Sequence, residues 1–284
     1  MNKLERKRML CVSLAAGAIL LCGVLLVLLM RYQHTSTVRP QDQYVGQIPD
    51  FYSTVDADGD GVDDQTDVLD NALAYVDTRP KYKSRYYQTG YPDDGYGVCT
   101  DVVAFALKNA GYDLQALVDA DIREHPQWYD IRQPDANIDF RRVRNLKVFF
   151  AHHAAALTTD VSRTEEWQGG DLVIFENHIG IVSDRRNKNG VPYIIHHNDP
   201  WQAAYEQDIL EKRTDIVGHY RISEQYAKSG PAALWMQRDR AALRYNNGEE
   251  TEENSDYSRP AICLTAFMAK VRVRPMATPA IRQG

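Results

Sequence analysis

No charged residue occurs between Met9 and Met30. A run of about 20 apolar residues is enough for a helix to cross a bilayer. Such a run has no place in a water-soluble core of its own. Lys3, Arg6, Lys7 and Arg8 precede it. Basic residues stay on the cytoplasmic side, so the N-terminus is expected inside and the rest of the chain outside. A cleavable signal peptide has a shorter apolar core that ends in a small-residue site. Leu25-Leu26-Val27-Leu28-Leu29-Met30-Arg31 offers no such site, and Cys22 follows Leu20-Leu21, where a lipoprotein signal has a small residue. Residues 1–31 are therefore expected to be an uncleaved signal anchor. The protein is expected to cross the cell membrane once, with its C-terminal domain extracytoplasmic.

The remaining chain is long enough for one good core and an appendage. The net charge of the whole sequence, -6, with no basic patch, argues against nucleic acid as a partner. Of four cysteines, Cys11 and Cys22 lie in the apolar run, leaving Cys99 and Cys263. That is neither a disulfide framework nor a zinc-ligand spacing. Residues 32–55 are polar without periodicity and read as a linker. Residues 224–284 read as a C-terminal extension. Its stretch Gly248 to Asp256 is acidic and expected to be flexible, and Ala261 to Val273, which contains Cys263, is apolar enough for a strand.

The domain, residues 56–223, opens on Asp56-Ala57-Asp58-Gly59-Asp60-Gly61-Val62-Asp63-Asp64-Gln65-Thr66-Asp67. Carboxylates stand at loop positions 1, 3, 5, 9 and 12, with Gly61 at the sharp turn. This spacing wraps oxygen ligands around a calcium ion, with Val62 supplying a backbone carbonyl. Asp67 stands where an EF-hand has Glu, so the loop resembles the Asp-rich calcium loops of dockerins and thrombospondin type-3 repeats. The expected ligands are Asp56, Asp58, Asp60, Val62, Asp64 and Asp67, and the expected role of Ca²⁺ is structural. No organic cofactor is expected. Val68, Leu69, Ala72, Leu73 and Val76 continue as one helix face.

Cys99 begins a second helix. Val102, Val103, Ala106, Leu107 and Ala110 recur at one-face spacing, and Gly111 stops the run. At the first turn a thiol meets unpaired N–H groups and the positive end of the helix dipole, which favours the thiolate. Tyr82, Tyr86, Tyr87, Tyr91 and Tyr96 lie in the loop before it, as groove lining or as packing. Asn137-Ile138-Asp139-Phe140-Arg141-Arg142-Val143 interleaves polar and apolar groups, as a specific buried network does. Beyond Trp167 the period changes to that of strands: Leu172-Val173-Ile174-Phe175, His178 to Ser183, Tyr193 to Asn198, and Val217 to Ile222. Helices followed by an antiparallel meander make an α+β layout.

A cysteine at a helix start, then Gly-Asp-Leu-Val-Ile-Phe, His-Ile-Gly-Ile-Val and a strand ending in His, resembles the NlpC-type branch of papain-like cysteine hydrolases. The chain is also similar to a bacterial domain-of-unknown-function family related to that branch. The likeness rests on Gly97 to Val103, Asp113-Leu114-Gln115, Asn137-Ile138-Asp139, Arg141-Arg142-Val143, Trp167 to Asp171, His178-Ile179-Gly180, His197-Asn198 and Gly218 to Arg221. Phe140 departs from the His found in many relatives.

The resemblance implies a papain-like fold with the nucleophile helix packed on a small antiparallel sheet. It implies Cys99 as nucleophile, His178 as base and an amide bond as substrate, a cell-wall peptide by analogy. A thiol needs an imidazole to take its proton, and that imidazole needs a third polar group to hold its tautomer. Strand alternation puts His196 and His197 on opposite faces without saying which one meets His178. The His-Asn phrase of the resemblance selects His197, with His196 and Asn198 as the other candidates. Two rival readings are zinc hydrolysis by His178, His196, His197 and Asp184, and a calcium-dependent surface binding module on an inactive scaffold.

Overall fold

The computed structural model describes residues 3–222 of the chain. Cys263, the acidic stretch and the strand expected at 261–273 lie outside the described residues.

Helix α1, Lys3–Arg31, is apolar on every side from Met9 to Met30 and is exposed from Leu4 onward. Within Leu4–Arg31 its most apolar 18 residues have a mean hydropathy of 2.8, so it is long and apolar enough to cross a membrane. It fits a single-pass membrane helix or a signal anchor. The stretch that follows is not a free linker. Gln33 hydrogen-bonds both the C=O and the N–H of Tyr82, at 3.1 and 2.7 Å, and its own N–H reaches the Pro200 carbonyl. Ser36 bridges Ala204, Tyr32 meets Trp201 edge-on at 5.0 Å, and Arg39 pairs with Asp184 and Glu206. The reason is backbone bookkeeping. Residues 203–205, which lead into the edge of the sheet, leave N–H and C=O groups open, and Ser36 donates to the Ala203 carbonyl and accepts from the Tyr205 N–H.

The helical layer contains α2 (Asp64–Asp77), α3 (Cys99–Asn109), α4 (Leu114–Glu124) and α5 (Val143–His153). Asp63 caps α2 by accepting from the Gln65 and Thr66 N–H groups. On α3 the expected stripe Val102, Val103, Ala106, Leu107 and Ala110 is fully buried, against α2 and the sheet. Two short parallel strands, β1 (Lys81–Tyr82) and β2 (Tyr96–Gly97), lead into α3.

The main sheet is built from β3 (Ala155–Ala156), β4 (Leu172–Phe175), β5 (His178–Arg186), β6 (Pro192–Ile195), β7 (Glu206–Gln207) and β8 (Ile216–Arg221). Its order is β3-β8-β4-β5-β6-β7, antiparallel throughout. The expected meander β4-β5-β6 is present. The last expected strand, β8, returns to lie beside β4 rather than extending the meander. Leu172, Ile174, Ile179, Ile181 and Ile195 face the helices. Val173, Phe175, Val182 and Ile194 form a second cluster on the other face with Trp167, Val191 and Leu210. Both faces being covered explains why every residue of β4 is buried. The protein is thus α+β with an antiparallel sheet.

One buried carboxylate closes the sheet. Asp171 accepts from Gln65 Nε2, the Gln168 N–H, His219 Nε2 and Arg221 Nε and Nη2, at 2.7–2.9 Å. Trp167 stacks on His219 at 3.7 Å. The Gly-Asp and Gly-His-Tyr-Arg phrases therefore join β4, β8 and α2.

Candidate active site

Cys99 is the first residue of α3, and its first turn is pinned from three sides. The Asp101 carboxylate accepts from the Val98 N–H at 2.8 Å and from Arg141 Nε and Nη2 at 2.6 and 2.9 Å. Arg141 also donates to the Arg85 carbonyl at 2.7 Å. The two charged side chains are 0% and 2% exposed. The interleaved stretch around Asp139 thus contains a buried network, and it clamps the cysteine helix to the preceding loop. Gly97 is required here. A Cβ on it would lie 2.2 Å from the Tyr75 hydroxyl, itself buried without a partner among the described residues.

The histidines come from neighbouring strands. His178 Nε2 lies 2.9 Å from His196 Nδ1, and His196 Nε2 lies 3.0 Å from Gln207 Oε1. With Gln207 accepting through its oxygen, His196 donates from Nε2 and accepts at Nδ1 from the Nε2–H of His178. His178 is left with a lone pair on Nδ1. The close approach depends on Gly180, where a Cβ would stand 2.6 Å from Ile194 Cγ2 and 3.2 Å from His196 Cβ.

His197, expected to contact His178, does not. Ile181 pairs with Ile195, so continuing the register puts His196 beside Gly180 and His197 beside Ile179, pointing to opposite faces. His178 pairs with Phe175 and shares its face, as His196 does. The His197 ring instead sits edge-on between Tyr82 and Tyr205, at 5.3 and 5.1 Å, and its Nδ1 is buried without a partner among the described residues.

The sulphur of Cys99 faces the Ile179 N–H, the residue after His178. Burial pushes this thiol up to about 11. The N–H groups of Ile179, Thr100 and Cys99 offset only part of that, and the Asp101 charge adds to it. The helix dipole, expected to favour the thiolate, is outweighed by loss of solvation. Burial, with Arg213 nearby, lowers His178 to about 4; burial, with His178 nearby, lowers His196 to about 3. Burial likewise lowers His197 to about 4. At pH 7 the thiol and all three imidazoles are neutral. Alkylation of Cys99 by iodoacetamide, followed by peptide mapping, should accelerate about tenfold per pH unit from pH 7 to 10. A preformed thiolate–imidazolium pair would show a plateau across that range instead.

Of the loop tyrosines, Tyr87 and Tyr91 donate to Asp94 and Asp113 and serve packing. Tyr82 borders the site: burial, and then proximity to Cys99, raise its phenol. The zinc reading fails on placement. Asp184 pairs with Arg39, and the metal-competent cluster among the described residues is Asp56, Asp58 and Asp60. Gln207 carries no signal in the sequence, whereas Asp101 and Arg141 stand in the phrases Gly97 to Val103 and Asn137 to Val143, where nothing local pairs them.

The family model for a domain of unknown function, DUF1287, matches residues 69–222, more than half of the chain. The chain belongs to the DUF1287 family. It is 36% identical over 167 residues to the uncharacterized protein YijF of Escherichia coli strain K12, covering 54% of this chain and 80% of YijF. No solved structure matches the chain. The DUF1287 match includes Cys99, the histidines and both buried ionic networks, and it begins after the Asp-rich loop.

In that loop Asp56 accepts from the Gly59 and Gly61 N–H groups, Asp58 from Asp60 and Asp60 from Val62. Asp64, expected as a ligand, is spent elsewhere. Its oxygens accept from the Ala57 N–H and the Tyr112 hydroxyl. Asp67 is 8% exposed, and its Oδ2 has no partner among the described residues.

Proposed function

We propose that this DUF1287 protein is a membrane-anchored cysteine hydrolase that cleaves an amide bond, with a cell-wall peptide as substrate on the extracytoplasmic side. The observation that carries this reading is the place of the cysteine, with its sulphur on the N–H of Ile179, the residue after His178. Cys99 heads a rigidly pinned helix beside the strand that begins with His178, and His196 holds one nitrogen of His178 while the other keeps its lone pair. The likeness of the motifs to NlpC-type hydrolases supports the same assignment.

Because thiol and imidazole are both neutral, the proton moves as the bond forms. For this step the His178 ring, which shares the Phe175 face of the sheet, turns toward the sulphur, and Nδ1 takes the Cys99 proton while the sulphur attacks the amide carbonyl. The Cys99 backbone N–H stabilises the developing oxyanion. The imidazolium then protonates the leaving amine, the C–N bond breaks, and a thioester remains on Cys99. Water, deprotonated by His178, hydrolyses the thioester and restores the thiol. His196 and Gln207 orient His178 without touching substrate. His197 and Tyr82 border the cysteine side of the site, where the free His197 nitrogen can hydrogen-bond substrate. Gln33, two residues beyond α1, holds Tyr82, which supports a substrate near the membrane surface.

Full-length protein in detergent, incubated with purified peptidoglycan peptides and read by mass spectrometry, tests the proposal. The expected result is a pair of fragments whose masses sum to the peptide plus one water. Intact peptides captured without cleavage would overturn it in favour of a binding module.

A further inference from the structure

We propose that Asp56, Asp58, Asp60 and Asp67, with the Val62 carbonyl, hold a calcium ion that fastens the start of α2 to the far end of the nucleophile helix. The donors are all oxygens, which selects a hard cation. Carboxylate oxygens of Asp56, Asp58 and Asp60 lie within 4.8 Å of one another. Spacing alone does not make a site, since exposed acidic turns are common. The deciding observation is Asp67. The residue is 8% exposed, and its Oδ2 is buried with no hydrogen-bond partner among the described residues. The carboxylates of Asp60, Asp58, Asp64 and Asp56 act on it as like charges. A buried acceptor normally has a partner, and a buried carboxylate facing other carboxylates has the greatest need of one. A cation in the ring supplies it. A single flexible loop that offers several carboxylates and a carbonyl suits calcium better than magnesium, which requires near-octahedral geometry and keeps its waters.

The loop is seated where such an ion has leverage. Asp64 links the loop residue Ala57 to Tyr112, just beyond α3, and Gly111 lies against Ala57 and Asp58 closely enough that a Cβ would meet them at 3.1–3.2 Å. Asp63 caps α2 from the same loop. Calcium would therefore couple the loop, α2 and α3, in a segment that precedes the DUF1287 match.

The test is independent of hydrolysis. Full-length protein in detergent is stripped with EDTA and titrated with calcium chloride by calorimetry, and melting curves are taken with and without the ion. Binding of one calcium per chain and a rise of several degrees in Tm are expected, because an ion that binds only the folded state stabilises it. Asp67→Asn, nearly isosteric, should melt no lower than wild type without calcium yet lose the response. Asp58→Ala with Asp60→Ala should abolish binding. A wild-type melting curve unmoved by calcium, or an unchanged response in these variants, would overturn the proposal.

Discussion

Arg141→Ala should destabilise the protein by about 3–5 kcal/mol, the usual consequence of leaving one member of a buried ion pair alone. For a domain of this size that corresponds to a fall in Tm of roughly 6–20 °C. Asp101 is fully buried, and after truncation of Arg141 its carboxylate would keep only the Val98 N–H. The Arg85 carbonyl would also lose its donor. The pair need not be a large net stabiliser, because desolvating both charges costs about what their attraction returns. Asp101→Leu with Arg141→Met should therefore melt higher than Arg141→Ala alone. Thermal melts of the three proteins check this. Equal melting temperatures for Arg141→Ala and wild type would show that the clamp at the nucleophile helix is not formed.

The second large effect concerns turnover. Cys99→Ala should abolish it, with a loss on the order of 10⁶-fold if the unit behaves like other nucleophile–base pairs. His178→Ala should cost nearly as much, since the same imidazole serves thiol activation and leaving-group protonation. His196→Ala should cost less, on the order of 10²–10⁴-fold, because it removes only the group that fixes the His178 tautomer. Such units are not additive, so the Cys99/His178 double variant should match the Cys99 single variant. His197→Ala should raise KM more than it lowers kcat, because its ring lies off the His178–His196 pair and beside Tyr82. Steady-state kinetics on a cleaved peptide give the ranking. A greater loss of kcat in His197→Ala than in His196→Ala would exchange the two roles.

Much of this arrangement can be read from local patterns. The stripe from Val102 to Ala110 defines α3 and puts Cys99 at its first turn, and alternation from Leu172 onward defines the meander. What local patterns leave open depends on partners distant in the chain. Period-two alternation separates His196 from His197, but only the pairing of Ile181 with Ile195 says which one meets His178. The place of β8 beside β4 is set by the Asp171 network, whose members come from α2, the Trp167 turn and β8. Residues 33–39 lack periodicity because they serve as a cover for an edge, not as an amphipathic element. The helix dipole at Cys99 favours the thiolate, and burial reverses that. Asp64 fits the ligand spacing, yet Tyr112 and Ala57 claim its oxygens.

The central claim is that Cys99 forms the bond to substrate with His178 as its base. The most direct measurement is rapid acid quenching of full-length protein during turnover of a peptidoglycan peptide, followed by intact-mass and peptide mapping. The account predicts a peptide-acyl adduct on Cys99, present in wild type and absent from Cys99→Ala and His178→Ala. Peptide cleavage that proceeds at the wild-type rate in Cys99→Ala, with no adduct in any variant, would contradict it.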